Sequence, residues 1–236
     1  MTIQLTPPSI ATVKAVVGFS KRFGADLIKL TAANTAAIDD TPTAFIMFDG
    51  ISYAGPDIYI TRIRALAQRL ASDDFSLTVV TGGTEDKPKS LQIKSGKSVI
   101  DFRLATERAG DRFPSKFTGS FVRELEIERD DLTTAVAGAN AINAKLLTFS
   151  SDGKHLTLSA TSETETYTAS LTDVPAPATF QYNYTVDYLN EIDKMIPKGI
   201  NIITFSVTAK GHMRIQLPTE LKQVTASVFL LDVKNR

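Results

Sequence analysis

The second half of the chain contains an internal repeat, and this feature limits the possible folds more than any other. Residues 121–171 align without a gap on residues 178–228, and both segments predict a strand, a helix and then three strands. His155 falls on His212, and each histidine begins a predicted strand after a turn. The first half shows the same order of elements twice, more loosely. We therefore predict four βαβββ repeats, arranged as two similar halves.

Apolar residues at spacings of three and four predict two helices in the first half. The first helix has Ser9 as its capping residue and ends at Gly24. The second helix covers residues 62–71, with Thr61 as its capping residue. Residues 81–88 contain two adjacent glycines and an acidic pair, which predicts an exposed loop. Both helices present one apolar stripe to a core and one polar side to solvent.

The second half predicts a third helix that begins at Asp130 and a fourth helix over residues 187–196. Four short helices against some sixteen strands indicate an α+β fold, in which the two helices of each half lie on one face of antiparallel sheets. We place a first domain at residues 1–108, an inter-domain connector at 109–120 and a second domain at 121–236.

The composition excludes several classes of protein. The 26 Lys and Arg residues balance the 26 Asp and Glu residues, which rules out a globally basic nucleic-acid binder. There is no cysteine, so neither a disulfide nor a thiolate nucleophile is possible, and a reducing compartment is expected. The start of the sequence lacks the pattern of a signal peptide, and no apolar run approaches the ~20 residues of a membrane-spanning helix. We therefore expect a cytoplasmic protein with no membrane contact.

The sequence shows no catalytic or metal-binding motif. Neither histidine has a carboxylate or a second histidine at ligand spacing, which favours a structural role for both. The acidic pairs at 39–40, 73–74 and 130–131 could in principle hold Mg²⁺, but each lies at a helix end or a turn, where Asp commonly caps the backbone. Phosphate-loop, dinucleotide-binding and nucleophile-elbow motifs are all absent from the sequence. We expect neither an enzyme nor a bound cofactor or metal.

The polar sides of the first two predicted helices carry only positive charge. A solvated helix face usually mixes the two signs, because opposite charges four residues apart stabilise the helix. An unmixed cationic face instead favours a polyanionic partner. The fourth helix adds one lysine and a second just after it, whereas the third helix adds none. The candidate DNA-binding residues are Lys14, Lys21, Arg22, Arg62, Arg64, Arg69, Lys194 and Lys198.

Three apolar residues in the predicted connector form a second candidate site. Phe113, Pro114 and Phe117 lie in a loop, where such side chains have two common uses. They can pin the connector to a domain, or they can contribute to a hydrophobic pocket for partner peptides. The sequence leaves both interpretations open.

The layout of the chain resembles that of DNA polymerase sliding clamps. Two similar domains, each of two βαβββ repeats with both helices on one face, are joined by a long connector. The resemblance extends over nearly the whole chain as an order of secondary-structure elements. Local similarities lie in residues 57–71, 91–104 and 180–196. Within this family the sequence is most similar to the clamps of T4-like bacteriophages and to the trimeric clamps of the PCNA type.

The resemblance implies a ring around double-stranded DNA. Clamps close with six domains, so a two-domain chain is expected to form a head-to-tail homotrimer with helices lining the hole. DNA polymerase and the clamp loader are then expected to dock through short peptides near the connector. If the chain is viral, the ring works in the host cytoplasm. The third and fourth helices are not clearly basic, so the hole is expected to be unevenly charged.

Two other interpretations remain open at this stage. A monomeric polymerase accessory factor of the same fold must hold DNA by charge alone, and a net charge of zero argues against it. A β-rich structural protein of a virion or tail could share the duplicated domains, but it has no need for unmixed basic helices. We therefore favour the clamp.

Overall fold

The computed structural model describes residues 1–41, 43–72, 74–82, 87–113, 120–175 and 178–233, with residues 172–175 described by their backbone. Within these residues it contains four α-helices and sixteen strands, in the order strand, helix and three strands, repeated four times. The predicted α+β fold with four βαβββ repeats is therefore confirmed.

The first two repeats are followed by a 3₁₀ helix, Glu107–Arg112, in a segment where the sequence shows no periodicity. Their elements are β1 (Thr2–Gln4), α1 (Pro7–Arg22), β2 (Leu27–Leu30), β3 (Thr35–Ile38), β4 (Ala44–Asp49), β5 (Ile58–Ile60), α2 (Ile63–Arg69), β6 (Ser76–Gly82), β7 (Lys87–Ser95) and β8 (Ser98–Arg103). The last two repeats comprise β9 (Phe121–Glu128), α3 (Arg129–Ala141), β10 (Leu146–Asp152), β11 (His155–Thr161), β12 (Thr166–Pro175), β13 (Thr179–Thr185), α4 (Val186–Met195), β14 (Ile202–Thr208), β15 (Met213–Pro218) and β16 (Thr225–Leu230).

The chain folds into two compact units. Unit 1 comprises Met1–Phe117 and Pro218–Ser227, and unit 2 comprises Thr118–Leu217 and Val228–Arg236. The segment 218–227 thus belongs to unit 1, although it follows most of unit 2 in the sequence. The domain limits and the connector proposed from the sequence stay a prediction.

Unit 1 is built on antiparallel strands with its two helices packed against each other. Its strands follow the orders β1-β6-β7-β8 and β5-β2-β3-β4. Aromatic side chains join α1 to the sheet: the ring of Phe19 stacks on Phe23 at 5.2 Å and meets Phe48 of β4 edge-on at 5.6 Å. Burial of this apolar side leaves the opposite side of α1 to solvent.

Unit 2 has the same construction. Its strands follow the orders β12-β11-β10-β13 and β16-β15-β14-β9, and α3 packs against α4. The core is centred on Phe149, whose ring meets Tyr184 at 5.3 Å and Phe205 at 6.2 Å, both edge-on. Edge-to-face contacts of this kind add to the stabilisation that comes from burial.

Both predicted helix caps in the first half are wrong. Helix α1 begins at Pro7, and Ser9 lies inside its first turn, where its buried hydroxyl accepts a 2.9 Å hydrogen bond from the backbone N–H of Ala54. Helix α2 follows Arg62 rather than Thr61 as its N-cap residue. The end of the first helix is confirmed, because Gly24 follows it in the left-handed conformation with φ of +62°.

The loop predicted over residues 81–88 is shorter than expected. Strand β6 extends to Gly82 and β7 begins at Lys87, because Thr81 pairs with Pro88 and Gly82 pairs with Lys87. Residues 83–86 lie outside the described part of the chain.

The C-terminal segment covers the outer edge of β13. Asp232, which is only 3 % exposed, accepts hydrogen bonds at one carboxylate oxygen from the backbone N–H of Asn183 at 2.9 Å and from its side-chain amide at 3.2 Å. The backbone N–H of Val233 donates to the carbonyl oxygen of Asn183 at 3.0 Å. At Asn183, this strand edge therefore has its backbone donor and acceptor satisfied within unit 2.

Replacing Asp232 with alanine is expected to lower the free energy of unfolding by about 2–4 kcal/mol, because two buried donors of Asn183 are left without their acceptor. Urea denaturation measures the effect. Glu163→Ala, in the exposed loop after β11, is the matched control and should change stability by less than about 0.5 kcal/mol. A decrease below about 0.5 kcal/mol for Asp232→Ala would show that the C-terminal segment does not hold β13.

Candidate nucleic-acid interface

The cationic residues of α1 and α2 lie on the solvent side of two adjacent helices. Helix α1 buries Val13, Val16 and Phe19, and α2 buries Ile63 and Leu66. Neither helix contains an acidic residue. Five of the six predicted basic residues are exposed and the remaining one, Lys14, is half-buried; we call this set the cationic face: Lys14, Lys21, Arg22, Arg62, Arg64 and Arg69.

The positive charge of the cationic face is largely uncompensated. Among the described residues, no ion pair involves Lys21, Arg22, Arg64 or Arg69. One acid approaches α1: a carboxylate oxygen of Glu220 lies 4.0 Å from the position that a Cβ on residue 18 would occupy. Four exposed cations that form no ion pair with a described residue leave a surface that attracts a polyanion.

Arg62 differs from the other members of the cationic face. Its backbone adopts the left-handed conformation, with φ of 53° and ψ of 45°, at the residue before α2. Its guanidinium carbon lies 4.8 Å from the centroid of the Phe102 ring on β8. No local sequence pattern indicates this contact, because the two residues are far apart in the chain.

The helices of unit 2 present a different surface, on which both basic residues are paired with acidic residues of the unit. Arg129, at the start of α3, donates to the Asp193 carboxylate at 3.3 Å, to its backbone carbonyl at 2.9 Å and to the carbonyl of Pro197 at 3.2 Å. The hydroxyl of Thr133 donates to the same carboxylate at 2.9 Å. These bonds join the start of α3 to the end of α4.

The two lysines predicted for the DNA contact in unit 2 have different surroundings. Lys194 forms a 2.7 Å ion pair with Glu191 on the same helix, so its charge is partly neutralised. Lys198 is exposed beyond the end of α4. Sequence reasoning missed Arg129 and Asp193, which dominate the polar contacts between these helices.

The described first part of the predicted connector, residues 109–113, is anchored on unit 1. Arg112 donates to the backbone carbonyl of Asp39 at 3.5 Å and forms a 3.4 Å ion pair with Asp40. The half-buried ring of Phe113 meets Phe45 of β4 at 6.5 Å. This contact supports the interpretation that Phe113 pins the connector to a domain. Pro114 and Phe117 lie outside the described residues, as does Asp73.

The acidic pairs that are described serve local structure. The Asp39 carboxylate accepts hydrogen bonds from the backbone N–H groups of Thr43 at 3.0 Å and Ala44 at 3.3 Å, which closes the turn between β3 and β4. Asp130 and Asp131 occupy the first turn of α3, where negative charge favours the helix. In the described part of the chain, no group of three His, Asp or Glu side chains is arranged to hold a metal ion.

The two histidines lie at equivalent places in consecutive repeats, as the alignment predicts. His155 begins β11, and His212 immediately precedes β15. Burial, and secondarily Lys210, lowers the pKa of His212.

No helix among the described residues is long and apolar enough to cross a membrane.

Comparison with known proteins shows the fold. No protein-family model and no curated protein sequence matches the chain. Many solved structures match it, and three of them are covered over almost their full length. PCNA from Archaeoglobus fulgidus (A. fulgidus), bound to the C-terminal region of FEN-1, has a TM-score of 0.61 and 16% identity, with 98% of this chain and 97% of that chain covered.

The other two structures give similar values. The PCNA2-PCNA3 complex from Sulfolobus tokodaii has a TM-score of 0.59 and 15% identity, with 99% of each chain covered. PCNA from Thermococcus kodakaraensis has a TM-score of 0.60 and 13% identity, with 98% of this chain and 99% of that chain covered. The chain therefore has the two-domain fold of PCNA clamps, whereas the closer likeness to phage clamps stays a prediction.

Proposed function

We propose that this chain is a DNA sliding clamp, which encircles duplex DNA and tethers the replicative polymerase. The observation that carries the proposal is the cationic face: two adjacent helices of a clamp fold present basic residues to solvent and contain no acidic residue. Charge of this kind suits the regular phosphate backbone of DNA and reads no base sequence. A ring retains DNA by its topology, so weak phosphate contacts are compatible with sliding.

Ring closure requires two free sheet edges, and two suitable edges are present. In the sheet β1-β6-β7-β8, β1 has only three residues, whereas β8 has six and exposes 52% of Val99 and 36% of Ile100. In the sheet β12-β11-β10-β13, residues 232–233 bond to the outer edge of β13 at Asn183, so we take the ten-residue β12 as the free edge. We propose that β8 of one copy pairs with β12 of the next, which removes both edges.

The number of copies follows from the number of domains. Six similar domains close a clamp ring, so two-domain chains join head to tail as a homotrimer. The structure from Sulfolobus tokodaii is a complex of two clamp chains, which supports association between chains of this fold. Each chain then contributes one cationic helix pair and one acidic pair, α3 and α4, in which five acidic residues outnumber two basic ones.

Partner proteins are proposed to dock near Phe113. The C-terminal region of FEN-1 is bound to the clamp from Archaeoglobus fulgidus, which supports peptide binding by clamps of this fold. In this chain the 3₁₀ helix and Phe113 are anchored on unit 1 through Arg112 and the ring of Phe45. We propose that the polymerase and the clamp loader bind through short peptides at Phe113, Pro114 and Phe117.

Retention on circular DNA tests this proposal. The protein is incubated at micromolar concentration with linear plasmid, whose free ends a closed ring can thread, and the plasmid is then ligated into circles. The bound fraction is measured by gel filtration before and after the circles are cut once. A clamp remains on the circle and disappears from the linear DNA, because it slides off the ends. Equal retention on both forms indicates an accessory factor held by charge. Absence from both forms indicates a structural protein and contradicts the proposal.

A further inference from the structure

We propose that Arg62 is a phosphate contact whose guanidinium is fixed in advance, and that Phe102 is the residue that positions it. This inference rests on the proposed function and deepens it, because it singles out one of the six basic residues on the cationic face. The partner is the sugar-phosphate backbone of duplex DNA, which offers the paired oxygens that a planar guanidinium binds best.

The backbone of Arg62 provides the first argument. A residue with a side chain adopts the left-handed conformation only at a free-energy cost, and glycine or asparagine normally occupies such positions. Here an arginine has φ of 53° and ψ of 45° directly before α2. Such conformations are concentrated at functional sites, where the surroundings hold the strained residue in place.

The ring of Phe102 provides the second argument. The guanidinium carbon of Arg62 lies 4.8 Å from the ring centroid, well within the distance of a cation–π contact. Phe102 is only 6 % exposed and belongs to β8, so the ring is a fixed surface rather than a mobile one. A guanidinium that lies over a ring keeps its N–H groups directed outwards from its edge.

The donors of Arg62 remain available to a ligand. Residue 62 is exposed, and no described residue accepts a hydrogen bond from its side chain or forms an ion pair with it. Arg64 and Arg69 are equally exposed, but no aromatic ring within the described residues holds either of them. Ordering a free arginine side chain on binding costs conformational entropy, and Arg62 has met part of that cost in advance.

The affinity for a labelled duplex of mixed sequence, measured by fluorescence anisotropy over a range of salt concentrations, tests the inference. Arg62→Gly is expected to reduce the slope of log affinity against log salt by about 0.9 for each phosphate that the protein no longer neutralises. The melting temperature should stay within about 2 °C of the unmodified protein or rise, because glycine adopts the left-handed conformation freely. Arg108→Ala, on the exposed 3₁₀ helix, is the control for charge removal away from the cationic face.

The role of Phe102 requires a second set of variants. Phe102→Leu is expected to lower the affinity about 2- to 10-fold, since Arg62 then has to be ordered on binding. The conservative change Phe102→Tyr keeps a ring and should retain the affinity. In the Arg62→Gly background, Phe102→Leu should have no effect on affinity, because there is no guanidinium left to position.

Two results would overturn the inference. An unchanged salt slope for Arg62→Gly would show that Arg62 only covers Phe102. An equal decrease in affinity for Phe102→Leu in both backgrounds would show that Phe102 acts by stabilising the fold. If Arg64→Ala lowers the affinity while Arg62→Gly does not, only this inference fails. If neither variant lowers the affinity, the cationic face itself is not the DNA-binding surface, and the proposed function loses its main support.

Discussion

Replacing Lys21, Arg22, Arg64 and Arg69 together with alanine is expected to weaken DNA binding by roughly 30- to 1000-fold. Each exposed charge pair is worth about 0.5–1 kcal/mol, so four such pairs with phosphates amount to about 2–4 kcal/mol. The dependence of affinity on salt should also become shallower, by about 0.9 for each phosphate that is no longer neutralised. Fluorescence anisotropy with a short labelled duplex at increasing salt measures both effects.

The fold should tolerate this fourfold change. All four side chains are exposed, and none forms an ion pair with a described residue. A matched control removes four exposed cations outside the cationic face: Lys97, Arg108, Lys154 and Lys210. Equal decreases in DNA binding for the two variants would mean that the effect comes from net charge, and our assignment of the DNA-facing side would be wrong.

Gly50→Ala is expected to be the most damaging single change to stability, at about 2–5 kcal/mol. Gly50 follows β4 with φ of +76°, a conformation that alanine adopts only at a cost of about 1–2 kcal/mol. An added Cβ would also overlap the backbone carbonyl oxygen of Gln223, within unit 1. Because that neighbour is backbone, it has little freedom to move away, and overpacking adds about 1–3 kcal/mol.

Gly24→Ala separates the conformational cost of the positive φ from the cost of overpacking. Gly24 also has a positive φ, +62°, but no atom lies within 4 Å of an added Cβ, so only the conformational cost remains. Thermal and urea unfolding should therefore rank Gly50→Ala well below Gly24→Ala in stability. Similar decreases for the two variants would show that the segment 218–227 does not pack against residue 50 in solution.

The sequence predicts most of the fold because the βαβββ repeat recurs and each helix has a clear apolar stripe. The predicted capping residues of the first two helices are wrong for a physical reason. Ser9 has the chemistry of a capping residue, but its hydroxyl bonds instead to Ala54, which is distant in sequence. Thr61 also has the chemistry of a capping residue, but the N-cap residue of α2 is Arg62. No local sequence pattern indicates the left-handed conformation of Arg62.

For the candidate site too, local sequence patterns predict which side chains are exposed but not which distant residues are in contact. Helical periodicity predicts correctly that Arg62, Arg64 and Arg69 face solvent, because burial of the apolar stripe fixes the opposite side. Periodicity cannot reveal the stacking of Arg62 on Phe102, nor the bonds between Arg129 and Asp193, since these partners are far apart in the chain. The DNA-binding role of the cationic residues stays a prediction.

The absolute mass in solution, measured by light scattering over a dilution series, tests the ring most directly. A closed trimer has a mass of about 77 kDa, three times the 25.6 kDa of the chain, and it shows no larger species as the concentration rises. We predict that result at micromolar concentration. A stable monomer at the same concentration, or a mass that increases without limit, would contradict a closed head-to-tail ring.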